Sequence, residues 1–352
     1  MQHIQINSEN ELILHLALGR ITFLKFQEKI ILSKKLDSPR DLVLLSIEDI
    51  SNIINRPLRS NVIWDSEENL RMAEIALRYC RSLGIHIILY NDDFYPEELR
   101  QIEDPPYLLF CRGNKEALLA EKKVSVVGTR RLTVAGKKGA QQFGYDGASD
   151  GATIVSGLAN GADGYAHTGV INAYYDAVEK ECDLQNVGKT IAVLPCAIDE
   201  ITPYNHKRLA AQIIETGGCL ISEYEPKMTM ANWHFVARNR IIAALSPATV
   251  VVEAPAGSGA LITVDFALEY GRDVMFHKAS VEEEAKKLDE ASAKKLQLDF
   301  AQGKVSKYKV ENTVSKYLEA GAPIINDYKD YCECFSENPG KRTQNYIQGE
   351  LF

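Results

Sequence analysis

The chain has 352 residues, of which 45% are hydrophobic and 25% charged, and its formal net charge is -8 at pH 7. This composition excludes a fibrous or wholly disordered chain, and the length favours a small accessory domain beside a larger one. No stretch resembles a signal peptide or a membrane span, so we expect a cytoplasmic protein with no membrane partner. The acidic balance argues against non-specific coating of nucleic acid, but it is compatible with a local basic groove.

Residues 1–85 contain helical patterns and little else. In the clearest pattern, Asp65 and Ser66 offer N-caps, Gly84 offers a C-cap, and an apolar stripe lies between them. We therefore predict a small helical domain over residues 1–85, of the SAM or helix-hairpin kind. Residues 85–114 read as two short strands around a proline-rich turn, which we interpret as a bridge into the next unit.

From residue 122 to about 277 the pattern alternates between strand, loop and helix. The strands are short, rich in β-branched residues and nearly continuous in apolar residues, as strands covered on both faces must be. They read KVSVVGT, ATIVSG, TIAVLP, CLISEY, ATVVVEA and DVMFH. The alternation predicts an α/β fold with a doubly wound, mostly parallel sheet over residues 86–335, whose ligands bind beyond the carboxyl ends of the strands.

Two insertions interrupt this plan, at about residues 173–187 and 279–304, and the second has the composition of an exposed helix. Residues 336–352 are polar, and we expect a flexible tail. The seven cysteines include no CxxC pair, which favours reduced thiols. The lone CxC of Cys332 and Cys334 has no second ligand pair nearby, so we predict neither a metal site nor a cofactor.

Three strand ends carry loops of small and polar residues. Glycine lets backbone N–H groups approach an anion, a following helix N-terminus favours negative charge, and arginine adds bidentate pairing. Cations at a helix start are unfavourable unless an anion is present, so the paired arginines indicate a negatively charged ligand. The candidates are Gly128, Thr129, Arg130 and Arg131 after the first strand, Ser156, Gly157 and Asn160 after the second, and Gly257, Ser258, Gly259 and Thr263 after the fifth.

Two further basic segments join this set. HFVARNRIIAALS places Arg238, Asn239 and Arg240 at the head of a helix, where they either contact the ligand or order the neighbouring loops through salt bridges. TPYNHKRLAAQI brings Asn205 and Lys207 beside an aromatic residue, either as a surface for single-stranded nucleic acid or as an exposed helix cap.

The sequence offers few candidate catalytic residues. Asp163 and His167 are four residues apart on one predicted helix face, and we favour a hydrogen-bonded structural pair over an acid–base dyad. The sequence contains no HExxH, nucleophile elbow or Walker A motif. We therefore predict a protein without catalytic residues.

Over about residues 85–335 the chain resembles the DNA processing protein A (DprA/Smf) family. The resemblance lies in YPEELRQIEDPPYLLFCRGN, VSVVGTRRLTVAG, IVSGLANGADGYAH, RNRIIAALSPATVVVEAPAGSGALIT and YLEAGAPIINDYKD. It implies a helical N-terminal domain and an extended Rossmann-like domain. It also implies a homodimer that binds single-stranded DNA, protects it and loads the recombinase RecA onto incoming DNA in natural transformation.

The resemblance places the DNA pocket at Gly128, Thr129, Arg130, Ser156, Gly157 and Gly257–Gly259, with Lys207 as the match for a basic loop residue. The chain departs from the family where LPCAID replaces a glycine-rich LGCG and where FHKAS replaces VPG after the last core strand. We expect no counterpart of the winged-helix domain that many members carry.

Three functions are open at this point. The motifs favour a non-enzymatic single-stranded DNA binder and recombinase loader. A nucleotide sensor or nucleotide N-glycosidic hydrolase is the alternative, but Thr263 stands where the catalytic glutamate of such enzymes would be. A protein-binding adaptor would leave the arginines unexplained. Separately, the terminal QGELF (residues 348–352) resembles a sliding-clamp-binding peptide, with Gly349 in place of the common leucine.

Overall fold

The structure is a computed structural model that describes residues 9–59 and 63–336. Five helices come first: α1 (Glu9–Arg20), α2 (Phe26–Lys35), α3 (Pro39–Val43), α4 (Ile47–Ile54) and α5 (Ser66–Leu83). The caps expected for α5 are present, since Asp65 accepts a hydrogen bond from the Glu68 N–H and Gly84 adopts a left-handed conformation. The apolar faces of these helices share one buried cluster with Leu108 and Leu220, so the helices are seated on the sheet. The domain boundary at residue 85 stays a prediction.

One nine-stranded sheet forms the centre of the described chain. Its strands are β1 (His86–Leu89), β2 (Leu108–Gly113), β3 (Lys123–Val127), β4 (Thr153–Ser156), β5 (Thr190–Val193), β6 (Cys219–Ser222), β7 (Ala248–Val251), β8 (Asp273–His277) and β9 (Ile324–Ile325). The order is β1-β2-β6-β5-β4-β3-β7-β8-β9. Strands β3 to β9 pair in parallel, whereas β1 and β2 are antiparallel additions at the β6 edge. The six predicted strands and the mostly parallel sheet are confirmed, and the segment interpreted as a bridge supplies two more strands of the same sheet.

Helices cover both faces of the sheet, as a doubly wound fold requires. The remaining helices are α6 (Glu97–Arg100), α7 (Val134–Ser149), α8 (Ala162–Glu179), α9 (Lys207–Glu215), α10 (His234–Ala244), α11 (Gly259–Glu269), α12 (Glu283–Ala301), α13 (Lys307–Glu311), α14 (Val314–Glu319) and α15 (Tyr328–Ser336). Helices α10 and α11 share a cluster with Val127, and α7, α8 and α15 share another with Val126. Consecutive residues of one strand thus face opposite layers. Helix α12 is the helix expected in the second insertion.

The strand order creates one switch point. From β3 the chain moves outward through β4, β5 and β6, and it then returns to the other side of β3 with β7. The loops that follow β3 and β7 therefore diverge, and a crevice opens between them at the carboxyl edge of the sheet. Within the described residues, no helix has the length and hydropathy to cross a bilayer.

Candidate functional site

A cleft of about 430 Å³ lies at this switch point. Its walls are the loop after β3, the loop after β7 with the first turn of α11, and the first two turns of α10. Ten of the predicted site residues line it: Gly128, Thr129, Arg130, Arg131, Arg238, Asn239, Gly257, Ser258, Gly259 and Thr263. The fold thus brings together residues that lie up to 135 positions apart in the sequence, counted from Gly128 to Thr263.

The loop after β3 is clamped by its neighbours. The Thr129 N–H donates to the carbonyl of Glu253 at 2.6 Å, and the Thr129 carbonyl accepts from the Ala162 N–H at 3.2 Å. A Cβ atom on Gly128 would lie 2.7 Å from the Ala162 Cβ and 2.9 Å from the Glu253 carbonyl oxygen. Only glycine allows this close crossing of β3, β7 and α8, so Arg130 and Arg131 project from a fixed backbone.

Both arginines are exposed, and within residues 9–59 and 63–336 neither forms an ion pair. The Arg130 guanidinium lies 5.4 Å from the centroid of the Phe235 ring, a cation–π distance that leaves its N–H groups free for a ligand. Two adjacent free cations just before the N-terminus of α7 repel the helix dipole. An anion bound between them would relieve this repulsion.

The loop after β7 is held by the second insertion and by the segment that follows it. The Ala256 N–H donates to Oδ1 of Asp289 in α12 at 2.6 Å, and the Gly257 N–H donates to the Asn312 carbonyl at 3.0 Å. Ser258 caps α11 by accepting from the Ala260 N–H at 3.3 Å. Gly259 stays exposed at the helix N-terminus, where backbone N–H groups favour an anion.

Arg238 lies at the floor of the cleft and orders the loops around it. It is 5% exposed, and its guanidinium donates to the carbonyls of Gly157 (2.6 Å) and Val193. Its Nε donates to Oδ1 of Asn239 at 3.0 Å, and Nδ2 of Asn239 donates to the Gly259 carbonyl at 3.3 Å. Among the described residues, Arg238 and Asn239 thus order the surrounding loops through hydrogen bonds rather than through salt bridges, and both residues also line the cleft.

Asp163 is the buried counter-charge of this floor. Its Oδ2 accepts from the N–H groups of Gly157 (3.1 Å) and Ala159 (3.2 Å). Burial raises the pKa of Asp163, and the nearby positive charge of Arg238 opposes that rise. Burial lowers the pKa of Arg238, the Asp163 charge opposes this, and the like charge of Arg130 adds to the lowering. The charges of Arg130 and Arg238 therefore repel each other.

Six of the predicted site residues do not line this cleft, and three of these six, Ser156, Gly157 and Arg240, are held by other contacts. Ser156 is buried and donates through Oγ to the Val126 carbonyl at 2.6 Å, and Gly157 is covered by Arg238. Arg240 bonds Glu223 at 2.6 Å and Asp104 at 3.0 Å, and these two carboxylates raise its pKa although burial alone would lower it. Arg240 therefore takes part in an ion-pair cluster on another side of α10.

A second cleft, of about 690 Å³, adjoins the first. Arg130 and Arg131 border both clefts, and the predicted Asn160 and Asn205 line the second, joined by a hydrogen bond of 3.0 Å. Two exposed cations stand in its wall: Arg208, which belongs to the basic segment TPYNHKRLAAQI, and Lys137, which sequence reasoning missed because no motif marks it. Lys207 is exposed outside this lining, with Nζ 4.0 Å from the Tyr204 ring centroid.

The structural pair expected for Asp163 and His167 does not form. Nδ1 of His167 bonds Oγ1 of Thr190 at 2.7 Å, while Asp163 is occupied by backbone N–H groups. Asp163 faces the loop after β4 and His167 faces β5, so each side chain bonds a different neighbour. Burial lowers the pKa of His167 to about 3. Within the described residues, no group of three or more His, Cys, Asp or Glu side chains could hold a metal ion.

Comparisons with known proteins agree on one family. A family model described as DNA recombination-mediator protein A matches residues 86–303, which include every predicted site residue. Protein Smf of Borreliella burgdorferi is 28% identical over 339 residues, covering 96% of this chain and 97% of that protein. DNA processing protein DprA of Streptococcus pneumoniae is 41% identical over 190 residues, covering 54% of this chain and 62% of that protein. The X-ray structure of DNA processing protein A from Streptococcus pneumoniae covers 93% of this chain and 98% of its own, with a TM-score of 0.63 and 26% identity.

Proposed function

The chain belongs to the DNA recombination-mediator protein A family, and we propose that it binds single-stranded DNA across the two clefts that Arg130 and Arg131 share. The observation that carries this proposal is the pair of exposed arginines, free of ion pairs among the described residues, at the switch point of the sheet. A chain of phosphates lying from one cleft to the other would neutralise both guanidinium groups. We further propose that the protein protects the strand and loads RecA onto it without catalysing a reaction.

The shape of the surface favours a polymer over a mononucleotide. The first cleft has the size of a small-ligand site, but its cations continue into a second and larger one. Lys137 and Arg208 are exposed along that continuation, and outside its lining the exposed Tyr204 lies beside the exposed Lys207. Cations that follow a backbone and rings that stack on bases are the two features with which proteins bind single strands.

A free nucleotide is the second candidate, because the open N-terminus of α11 suits a phosphate. Hydrolysis of such a nucleotide is disfavoured. Thr263 is 1% exposed where the catalytic glutamate of the related enzymes would stand. Glu253, at the end of β7, is 2% exposed and accepts hydrogen bonds from the Thr133 N–H (3.0 Å) and Oγ1 (2.5 Å). Burial raises the pKa of Glu253, and the bonds from Thr133 oppose that rise.

Competition measured by fluorescence anisotropy tests the proposal. A labelled oligothymidylate is bound to the full chain, and unlabelled single-stranded DNA, duplex DNA and free nucleotides are added in turn. We expect single-stranded DNA to compete best. Displacement by free nucleotide at lower concentration than by the oligonucleotide would instead support a nucleotide sensor. RecA loading is tested by whether the protein accelerates RecA filament formation on the same oligonucleotide.

Homodimerisation and a role in natural transformation come from the family resemblance, and a cytoplasmic location is the expectation of the sequence analysis; all three are part of the proposal. The QGELF peptide lies outside the described residues and stays a hypothesis about the sliding clamp. Deletion of Leu351 and Phe352 followed by a clamp pull-down tests it, and unchanged association would refute it.

A further inference from the structure

Trp233 exposes a large aromatic surface beside the switch-point cleft. Its side chain is 61% exposed, although an indole is among the largest apolar groups a protein can bury. The other tryptophan of the chain, Trp64, is partly buried and donates through Nε1 to the Leu45 carbonyl at 2.9 Å. Trp233 is therefore much more exposed than Trp64, and this exposure indicates a surface that binds a ligand.

The Trp233 ring is held in place by its neighbours. Tyr224 and His234 stack with centroids 3.9 Å apart and planes inclined by 10°. Trp233 meets both rings edge to face, at 6.3 Å and 82° from Tyr224 and at 4.2 Å and 86° from His234. Tyr224 and His234 are themselves buried, so these two rings hold the exposed indole in one orientation. An oriented ring loses little conformational entropy when a planar ligand stacks on it.

Trp233 belongs to the same helix turn as residues that line the cleft and contact Arg130. Its carbonyl accepts from the N–H groups of Val236 (3.1 Å) and Ala237 (3.0 Å), so it belongs to the first turn of α10. Residues three apart are neighbours on a helix surface, and Val236 lines the switch-point cleft. Phe235, between them in sequence, lies against the Arg130 guanidinium.

We infer that Trp233 is a base-stacking platform for the DNA strand whose phosphates lie on Arg130 and Arg131, an inference that rests on the proposed function. A protein partner could also cover an exposed indole. Single-stranded DNA, however, supplies phosphates for the arginines and planar apolar faces for the indole in one ligand. Stacking of this kind tolerates every base, as a strand binder without sequence preference requires.

The fluorescence of Trp233 gives a direct readout. In the Trp64→Phe variant Trp233 is the sole tryptophan, so its emission is followed while oligothymidylate or an abasic oligonucleotide of the same length is added. Both ligands carry the same phosphates, and only the first carries bases. We expect oligothymidylate to quench the emission at saturation and the abasic strand to bind without quenching. Saturating oligothymidylate without quenching would overturn the inference.

Binding by variants of the otherwise unchanged chain is the second measurement. Trp233→Ala is expected to weaken oligothymidylate binding roughly tenfold, the effect of losing one stacked base, while Trp233→Phe retains most of the affinity. Neither change should alter binding of the abasic strand. If Arg130→Ala weakens binding and Trp233→Ala does not, only the stacking role fails. If the full chain binds no single-stranded DNA, the proposed function fails as well.

Discussion

A Cβ atom on Gly157 would lie 2.1 Å from Nη1 of Arg238, so the guanidinium occupies the space that any side chain at residue 157 would need. Through this close approach Arg238 reaches the carbonyls of Gly157 and Val193, which stand at the carboxyl ends of β4 and β5. One buried cation thus ties two strand ends to α10. The floor of the cleft is therefore rigid before any ligand arrives.

Gly157→Ala is expected to destabilise the fold by about 1–3 kcal/mol, because the added methyl group must displace the buried guanidinium from its carbonyls. Denaturant unfolding followed by circular dichroism measures the change. The matched control is Gly259→Ala, where a Cβ atom meets nothing within 4 Å and little change is expected. Equal unfolding midpoints for the two variants would show that Arg238 can move aside without cost.

Much of the fold follows from the sequence because its patterns are local. Six apolar runs became parallel strands at their predicted positions, and the three loops at their ends converge because parallel strands share a carboxyl edge. The pairing of β2 with β6 joins segments more than 100 residues apart, and no local pattern encodes it. Strand β9 has only two residues, too few to show a period.

Arg238 and Arg240 of the segment RNR, residues 238–240, show why the site is harder to predict than the fold. Arg238 and Arg240 are two residues apart, which on a helix separates their side chains by about 200°. One therefore lies under the cleft and the other pairs with Glu223 and Asp104. Apolar residues follow on both sides of α10, so the sequence does not indicate which face looks toward the ligand.

Arg130→Ala is expected to weaken single-stranded DNA binding and to reduce the slope of log affinity against log salt concentration by about 0.7, the value for one lost phosphate contact. Anisotropy titrations at several salt concentrations measure both quantities. Arg78→Ala removes the same charge from an exposed position on α5 and should leave the slope unchanged. Identical slopes for wild type and Arg130→Ala would show that Arg130 does not contact a phosphate of the bound strand.

Asp289→Ala tests whether the inserted helix α12 holds the loop after β7. The variant loses the acceptor of the Ala256 N–H, and a hydrogen bond to a charged group contributes on the order of 1.5 kcal/mol. We expect amide hydrogen exchange of Ala256 to accelerate about tenfold and DNA binding to weaken, because the loop must be ordered on binding. Asp289→Asn keeps an acceptor oxygen and should exchange nearly as slowly as wild type. Unchanged exchange in Asp289→Ala would mean that the hydrogen bond from the Gly257 N–H to the Asn312 carbonyl is enough to hold the loop.

Arg240→Ala is expected to lower the stability of the protein and to leave the salt dependence of DNA binding unchanged, whereas Arg130→Ala is expected to change that salt dependence. Removing Arg240 leaves the partly buried Glu223 carboxylate without its cation, while Asp104 still reaches solvent. We expect a loss of on the order of 2–3 kcal/mol in the free energy of unfolding, below the full cost of breaking a wholly buried pair. Because Arg240 does not line the cleft, the salt slope for single-stranded DNA should equal that of wild type. Denaturant unfolding and the salt titration together decide the point. A reduced slope with unchanged stability would make Arg240 a phosphate contact and would require α10 to turn toward the strand.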